Sequence, residues 1–280
     1  MQIGLVGRGF VGDATLLLSG NKHKFFVYDI DKSKCQPLGL NLRELVSCAF
    51  VFVCVPTPMK EDGVCETGIV ESVVNDLVGE GIDPQRIIIR STVPVGTCRK
   101  LGTMFLPEFL TEQNWEEDFL NQRHWILGTN TRVDKTRDEL YSLFESAYFE
   151  GTLKNRPQMT FATTEEAELA KYVRNCYLAV KVSFFNEIEE FCTKNSISYR
   201  KLRELTCMDE RIRKSHTSVP GPDGKRGFGG TCFPKDISSL EQQMIACGME
   251  SYIIEGAKSR NIQIDRPEKD WQNNKGRAVT

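Results

Sequence analysis

One short stretch of the sequence, Gly229–Asp236 (GGTCFPKD), combines residue types that could perform covalent chemistry. Cys232 stands just before Pro234, and proline favours the first position of a helix. The cysteine would then lie at a helix N-terminus and close to Lys235, and both features favour a thiolate over a thiol. The stretch therefore predicts a reactive cysteine. The alternative is an ordinary buried cysteine, since cysteine is also a common small core residue.

A second stretch, at the start of the chain, has the pattern of a dinucleotide-binding turn. An apolar strand at residues 1–6 leads into GRGFVG at residues 7–12, a helical stretch follows, and a second strand ends at Asp29. Glycines at this spacing allow a tight turn, the approach of a pyrophosphate and close helix packing. Asp29 would accept hydrogen bonds from ribose hydroxyls, which favours NAD over NADP. The alternative is a purely structural strand–turn–helix unit.

The hydrophobic pattern of the chain predicts the strands and helices that hold these residues. Apolar runs predict strands at 49–55, 86–90, 102–106 and 125–127, with helices at 67–78 and 134–148. This alternation is typical of a Rossmann-type, doubly wound parallel α/β sheet, whose ligand-binding loops follow the carboxyl ends of the strands. Three such loops carry polar residues: VPTP with Thr57, STVPVGT with Thr92, and PEFLTE with Glu108 and Glu112.

From residue 163 to 194 the pattern changes to one long amphipathic helix, with apolar residues every three or four positions. Lys171 and Asn175 lie four apart on it and would share a face. A further helix at 199–208 precedes the loop that leads to Cys232. We therefore predict three regions: a Rossmann domain at 1–160, a smaller all-helical domain at 161–263, and a polar tail at 264–280.

Composition excludes several classes of function. The 36 basic and 38 acidic residues nearly balance, which gives no support to nucleic-acid or membrane-surface binding. No apolar run approaches the roughly 20 residues of a membrane span, and no secretion leader precedes the first strand. The ten cysteines form no CxxC pair and only three histidines accompany them, which argues against a metal site. We expect a cytoplasmic protein with reduced thiols.

Taken together, these stretches resemble the nucleotide-sugar dehydrogenases of the UDP-glucose 6-dehydrogenase and GDP-mannose 6-dehydrogenase family. The resemblance spans about residues 1–245 and is carried, in the family's order, by GRGFVG, VPTP, STVPVGT, PEFLTE, ELAKYVRNCYLAVKVSFFNE, MDERI and GFGGTCFPKD. It implies a four-electron oxidation of the C6 alcohol of a nucleotide sugar, UDP-glucose first, to the uronic acid, with NAD as acceptor. Cys232 would carry a thiohemiacetal and then a thioester. A homodimer through the long helix is also implied.

The resemblance assigns a role to each matching residue. The residues that the resemblance assigns to cofactor contacts are Gly7, Gly9, Phe10, Val11, Gly12, Asp29, Lys34, Thr57, Thr92, Glu112 and Lys235. Catalysis falls to the nucleophile Cys232, to Lys171 and Asn175 at the reacting carbon, to Asp236 acting on water, and to Glu108 and Thr92. Substrate contacts fall to Glu108, Lys171, Asn175, Arg211, Phe228 and Gly229.

The sequence also departs from the family. Full-length members carry a further C-terminal nucleotide-binding domain, and no second set of strand and helix signals follows here, so a short form is expected. The loop before Cys232 is longer than usual, and its Lys225 and Arg226 suggest phosphate contacts. Two other functions stay open: a two-electron dehydrogenase of the β-hydroxyacid type, which does not need Cys232, and a non-catalytic NAD-binding protein.

Overall fold

The computed structural model describes residues 1–130 and 134–280, except for the side chains of Asp134 and Lys135. The chain divides into two compact units. The first unit contains residues 1–57 and 67–171, and the second contains residues 58–66 and 172–280. The short segment 58–66 thus packs with the later part of the chain, whereas the domain bounds at residues 160 and 263 stay a prediction.

The first unit is built on one sheet, which has seven strands within the described residues, in the order β2-β1-β3-β4-β5-β6-β7. The strands are β1 Gln2–Val6, β2 Lys24–Tyr28, β3 Phe50–Val53, β4 Ile87–Ile89, β5 Met104–Phe105, β6 His124–Gly128 and β7 Gln158–Ala162. Their helices are α1 Phe10–Leu16, α2 Gly68–Gly79, α3 Thr97–Leu101, α4 Trp115–Asn121 and α5 Asp134–Phe149. The predicted α/β class is confirmed.

Two details of the sheet differ from the sequence prediction. Strand β6 runs antiparallel to β5, so the sheet is mostly rather than wholly parallel. Strand β7 was not predicted, because its side chains are largely exposed and lack an apolar run. It pairs with β6 from His124–Gln158 to Gly128–Ala162.

Both faces of the sheet are covered by apolar packing. Phe50 and Phe52 of β3 belong to one buried cluster. Val51 and Val53, which point to the opposite face, belong to another. All four side chains are at most 1% exposed. Apolar residues on both faces explain why these strands read as unbroken hydrophobic runs, as parallel strands in doubly wound sheets do.

The long helix α6, Thr164–Lys194, begins in the first unit and continues in the second, as predicted. The second unit adds α7 Tyr199–Thr206, α8 Phe233–Ala246, α9 Tyr252–Arg260, a π-helical turn at Asn261–Asp265 and a 3₁₀ turn at Asp270–Asn273. The polar tail is folded, since Trp271 and Ala278 are 4% and 1% exposed. Its last residues bond to Met59, where the Thr280 amide donates to the Met59 carbonyl at 3.0 Å.

In the described part of the chain, every helix is too short or too polar to cross a membrane.

Candidate active site

The turn between β1 and α1 has the backbone form that the GRGFVG pattern predicts. Gly7 adopts φ +93°, in the left-handed region that favours glycine. A Cβ on Gly7 would lie 2.6 Å from the carbonyl oxygen of Cys54, and one on Gly12 would lie 2.2 Å from the carbonyl oxygen of Gly7. Larger residues would therefore break the turn. By contrast, a Cβ on Gly9 would meet nothing within 4 Å, so the outer side of the turn is open.

Asp29 stands at the end of β2, beside this turn. Its Oδ2 accepts a hydrogen bond from the Arg8 amide at 2.7 Å, and its Oδ1 accepts one from the Asp31 amide at 2.8 Å. The open turn and this carboxylate form a cradle that fits a dinucleotide, since the sequence pattern expects the diphosphate near Gly9 and the ribose near Asp29. Phe10 and Val11 begin α1 next to the turn. Lys34 is exposed.

The loops after β3 and β4 carry Thr57 and Thr92. Thr57 is buried and Thr92 is half-buried. The Ser91 hydroxyl donates to the Val55 carbonyl at 2.7 Å, which ties the two loops together. Both loops follow the carboxyl ends of parallel strands, where ligands bind in open α/β sheets.

Sequence reasoning missed one buried acid that holds the second of these loops. Glu168, on α6, is fully buried and accepts hydrogen bonds from the amides of Gly96 at 2.6 Å and Cys98 at 2.8 Å. It thereby caps the N-terminus of α3, just beyond the Thr92 loop. Burial raises the pKa of this carboxyl group, although the two amide bonds lower it. No local signal predicted the contact, because the partners lie about 70 residues apart.

Lys171 and Glu108 form a buried ion pair in the first unit. The Lys171 Nζ lies 2.6 Å from Glu108 Oε1, and the two side chains are 3% and 5% exposed. Glu108 Oε2 also accepts a bond from the Leu110 amide at 2.7 Å. Glu112, four residues further along the PEFLTE loop, is exposed. A lysine held in this way presents a fixed positive charge.

In the second unit, Cys232 is the N-cap residue of α8, as the sequence predicts. Its carbonyl accepts the Asp236 amide at 2.8 Å in the first helical bond. The Asp236 side chain is 1% exposed and binds two donors, Lys235 Nζ to Oδ1 at 2.7 Å and Asn175 Nδ2 to Oδ2 at 2.6 Å. The nucleophile candidate, a carboxylate, a cation and an amide are thus held around the first turn of one helix.

The charges in this cluster act on one another. Burial alone would lower the pKa of Lys235, but the neighbouring Asp236 carboxylate and the nearby thiols outweigh it, so that the pKa is raised. Lys235 therefore stays protonated close to Cys232. Burial acts on several other cysteines: it raises the pKa of Cys54 to about 11 and raises that of Cys98 and Cys176. These thiols stay protonated near neutral pH.

The remaining predicted substrate residues have different surroundings. Phe228 is 4% exposed, and Gly229 packs against Arg266. Arg211 is highly exposed and bonds only locally, with Nη2 2.5 Å from Asp209 Oδ2. Lys225 and Arg226, which suggested phosphate contacts, are both engaged in ion pairs, and their contact with phosphate stays a prediction. Lys225 pairs with Glu268 and Asp270, and Arg226 pairs with Glu189 and Asp265.

Among residues 1–130 and 134–280, no three His, Cys, Asp or Glu side chains gather in a way that could hold a metal ion.

Comparison with protein families gives two matches in chain order. Residues 40–147 match the NAD binding domain of the UDP-glucose/GDP-mannose dehydrogenase family, and residues 165–263 match its central domain. The first match establishes NAD as the cofactor, in agreement with the cradle at Gly9 and Asp29.

Comparison with curated proteins gives relatives of the same kind. The UDP-glucose 6-dehydrogenase of Pseudomonas aeruginosa is 29% identical over 237 residues, covering 78% of this chain and 49% of that protein. The one from Rickettsia prowazekii is 32% identical over 226 residues, covering 75% and 49%. The chain thus spans about half the length of these curated relatives.

Solved structures agree on the fold. A UDP-glucose dehydrogenase from Pyrobaculum islandicum superposes with a TM-score of 0.78 at 21% identity, over 93% of this chain and 67% of that one. A 3-hydroxyisobutyrate dehydrogenase from Mycobacterium tuberculosis gives 0.68 at 17% identity, over 92% and 91%. The fold is therefore shared with dehydrogenases that have quite different substrates.

Proposed function

Because the chain belongs to the UDP-glucose/GDP-mannose dehydrogenase family, we propose that it oxidises the C6 alcohol of a nucleotide sugar to a carboxylate. The reaction removes four electrons in two steps and uses NAD. UDP-glucose is the first substrate to test, since the curated relatives bear the name UDP-glucose 6-dehydrogenase.

The observation that carries the proposal is the arrangement around the first turn of α8. Cys232 caps the helix, Asp236 lies one turn further on, and Asn175 and Lys235 both bond to its carboxylate. A two-electron alcohol dehydrogenase has no need for a nucleophilic thiol. A four-electron enzyme does need a nucleophile, because an aldehyde can lose a hydride only after a nucleophile has added to it, and the Cys232 thiolate can be that nucleophile.

The proposed reaction proceeds in three stages. The C6 alcohol loses a hydride and a proton to give the aldehyde. The Cys232 thiolate adds to the aldehyde carbon, and its oxygen takes up a proton to give a thiohemiacetal. Loss of a second hydride together with the hydroxyl proton leaves a thioester. Water then attacks the thioester, which releases the carboxylate and restores the thiol. NAD, when bound, accepts one hydride in each oxidation.

Each polar residue has a role that suits its surroundings. Lys171 Nζ, fixed by Glu108, and Asn175 Nδ2 would donate hydrogen bonds to the C6 oxygen as negative charge develops on it. Asp236 would orient the attacking water and accept its proton. Lys235 keeps a positive charge near the sulfur and so favours the thiolate.

The binding roles extend the same proposal. Gly7, Gly9, Phe10, Val11, Gly12 and Asp29 would contact the diphosphate and ribose of NAD, with Lys34, Thr57, Thr92, Glu112 and Lys235 at its other parts. Phe228 and Gly229 would border the sugar. Arg211, exposed and at the surface, would reach the substrate of a second copy. A homodimer through α6 and a cytoplasmic location belong to this proposal.

The test is turnover. Purified chain is mixed with NAD and, one at a time, UDP-glucose, UDP-N-acetylmannosamine, GDP-mannose and free glucose, while NADH is followed at 340 nm. We expect NADH from one nucleotide sugar and none from glucose. A simple β-hydroxyacid is tested in the same way, and equal rates with it would favour the two-electron dehydrogenase instead. Binding of NAD without turnover of any alcohol would favour the non-catalytic alternative.

A further inference from the structure

The backbone leading into Cys232 is held by residues that follow α9 in the chain. We call residues 226–232 the Cys232 loop. Asn261, 1% exposed, bonds to both sides of one residue of this loop. Its Oδ1 accepts the Phe228 amide at 2.8 Å, and its Nδ2 donates to the Phe228 carbonyl at 2.9 Å. These two hydrogen bonds fix the middle of the loop.

The next residue of the loop rests on a guanidinium group. A Cβ built on Gly229 would lie 2.6 Å from Cζ, 2.8 Å from Nε and 2.9 Å from Nη2 of Arg266. The guanidinium therefore fills the space that any other side chain at position 229 would need. Arg266 is only 3% exposed, so this contact is part of the interior of the second unit.

Carboxylates fix the orientation of this guanidinium. Arg266 Nε and Nη2 donate to the two oxygens of Asp270, each at 2.9 Å, and Nη2 also bonds to Asp223. Lys225 Nζ then binds Asp270 at 2.8 Å. Bidentate pairing of this kind specifies direction as well as charge. Arg266, Asp270, Asp223 and Lys225 are called the Arg266 cluster below.

Arg266 and Asp270 keep their opposite charges near neutral pH. Burial opposes the charged form of Arg266, but the bonds to Asp270 and Asp223 outweigh it and raise its pKa. Bonds from Arg266 lower the pKa of Asp270. Both groups are therefore ionised near neutral pH, and the planar contact with Gly229 is maintained.

We propose that Arg266 is a positioning residue for Cys232. By holding Gly229, three residues ahead of the sulfur, it fixes where the loop delivers Cys232 to the N-terminus of α8. A displacement of the sulfur by about 1 Å can lower the rate 10²-fold, and this catalytic consequence rests on the proposed function. The effect of Arg266 on the thiol itself does not rest on it, because the reactivity of the thiol can be measured without any substrate.

The first arm of the test therefore measures thiol reactivity. The pseudo-first-order rate of carbamidomethylation by iodoacetamide is measured at pH 7 for the peptides of Cys232 and of Cys247, without NAD or sugar. Cys247 is the internal reference, because it is exposed and follows the opposite end of α8. We expect Arg266→Lys, which keeps the charge but loses the planar contact, to lower the Cys232 to Cys247 ratio at least threefold. Gly229→Ala should do the same by displacing the guanidinium.

Two further variants make the result specific. Arg260→Lys is the matched control, because Arg260 also forms ion pairs near the end of α9, with Glu190 and Asp265. It should leave the ratio unchanged. Asp223→Asn removes one partner of Arg266 from a half-exposed site and should give a smaller decrease. It also replaces Arg266→Lys in the comparison if that variant does not fold, as judged by circular dichroism.

An unchanged ratio in folded Arg266→Lys and Gly229→Ala would overturn the proposal. A raised ratio would overturn it as well, since Arg266 would then merely shield the thiol. The second arm uses activity: in Arg266→Lys we expect kcat for uronic acid formation to fall about 10- to 100-fold, with the KM for the sugar changed less than twofold. If the ratio falls but wild-type protein oxidises no nucleotide sugar, the positioning role stands and the proposed function fails.

Discussion

The buried pair between Lys171 and Glu108 gives a prediction in which stability and catalysis can be separated. The two atoms lie 2.6 Å apart, and both side chains are at most 5% exposed. Replacing Lys171 with Met removes the cation and leaves the Glu108 carboxylate buried without its lysine. Breaking a pair of this kind costs about 3–5 kcal/mol, most of it from the stranded charge.

The expected loss is large enough to measure by thermal unfolding. At roughly 2–4 °C per kcal/mol for a chain of this size, Lys171→Met should lower Tm by about 6–20 °C. Adding Glu108→Gln removes the stranded charge, while its amide oxygen can still accept the Leu110 amide. The double variant should therefore recover most of the lost stability.

A matched control comes from an exposed pair in the same unit. Lys154 Nζ lies 2.9 Å from Glu117 Oε1, but these side chains are 48% and 67% exposed. Lys154→Met should lower Tm far less than Lys171→Met, because water screens surface pairs.

Activity should follow a different order from stability. We expect both Lys171→Met and the double variant to oxidise nucleotide sugar at least 10²-fold more slowly than wild type, since each lacks the cation that stabilises the developing oxyanion. A stable and inactive double variant would show that the Lys171–Glu108 pair acts in the chemistry and not only in stability. A Tm for Lys171→Met within 2 °C of wild type would refute the reasoning from the buried pair.

Three further predictions follow from other parts of the chain. Asp29→Ser should weaken NAD binding and reduce the preference for NAD over NADP in fluorescence titrations, because the carboxylate that repels a 2′-phosphate is gone. Equal affinity of the wild type for NAD and NADP would contradict this prediction. Phe184 and Phe191 are 56% and 60% exposed on α6, so Phe184→Glu should shift light-scattering mass from dimer to monomer, and a monomeric wild type at micromolar concentration would refute it. Bonds from Lys194 and Arg260 lower the pKa of Glu190 to about 2, so the stabilising effect of the Glu190 carboxylate is present above about pH 4.5 and is lost towards pH 2. The difference in urea midpoint between wild type and Glu190→Gln should therefore shrink as the pH falls from about 4.5 to about 2. A difference that does not depend on pH would contradict this prediction.

The sequence predicted well those features that depend on neighbouring residues. The position of Cys232 at the N-terminus of α8 follows from Pro234 and the apolar spacing after it, and the structure confirms it, although the helix begins at Phe233, one residue before the predicted start. The β1–turn–α1 unit follows likewise from GRGFVG, because only a residue without Cβ fits the φ of Gly7. These are local constraints, and one chain segment contains all the information they need.

Features that depend on residues far apart in sequence were not predictable in the same way. Glu168 bonds to amides about 70 positions earlier, and Arg266 packs on Gly229 across 37 positions. A glutamate on an amphipathic helix and an arginine in a polar tail both look like solvated residues in sequence. Their roles emerge only when tertiary packing brings the partners together. Strand β7 escaped prediction for a related reason, since it is recognisable mainly by its pairing with β6.

The role of Cys232 as the covalent nucleophile is the central claim, and counting NADH per sugar oxidised tests it most directly. Wild type, Cys232→Ala, Cys232→Ser and the control Cys247→Ala are each incubated with NAD and UDP-glucose, and the products are identified by mass spectrometry. The account predicts two NADH and one uronic acid per sugar for wild type and Cys247→Ala. It predicts no uronic acid from Cys232→Ala, which should still bind NAD. On Cys232→Ser an ester should form slowly, because the alkoxide forms poorly near neutral pH, and should then stall, because an ester hydrolyses more slowly than a thioester. Uronic acid made by Cys232→Ala at the wild-type rate would contradict the thioester mechanism.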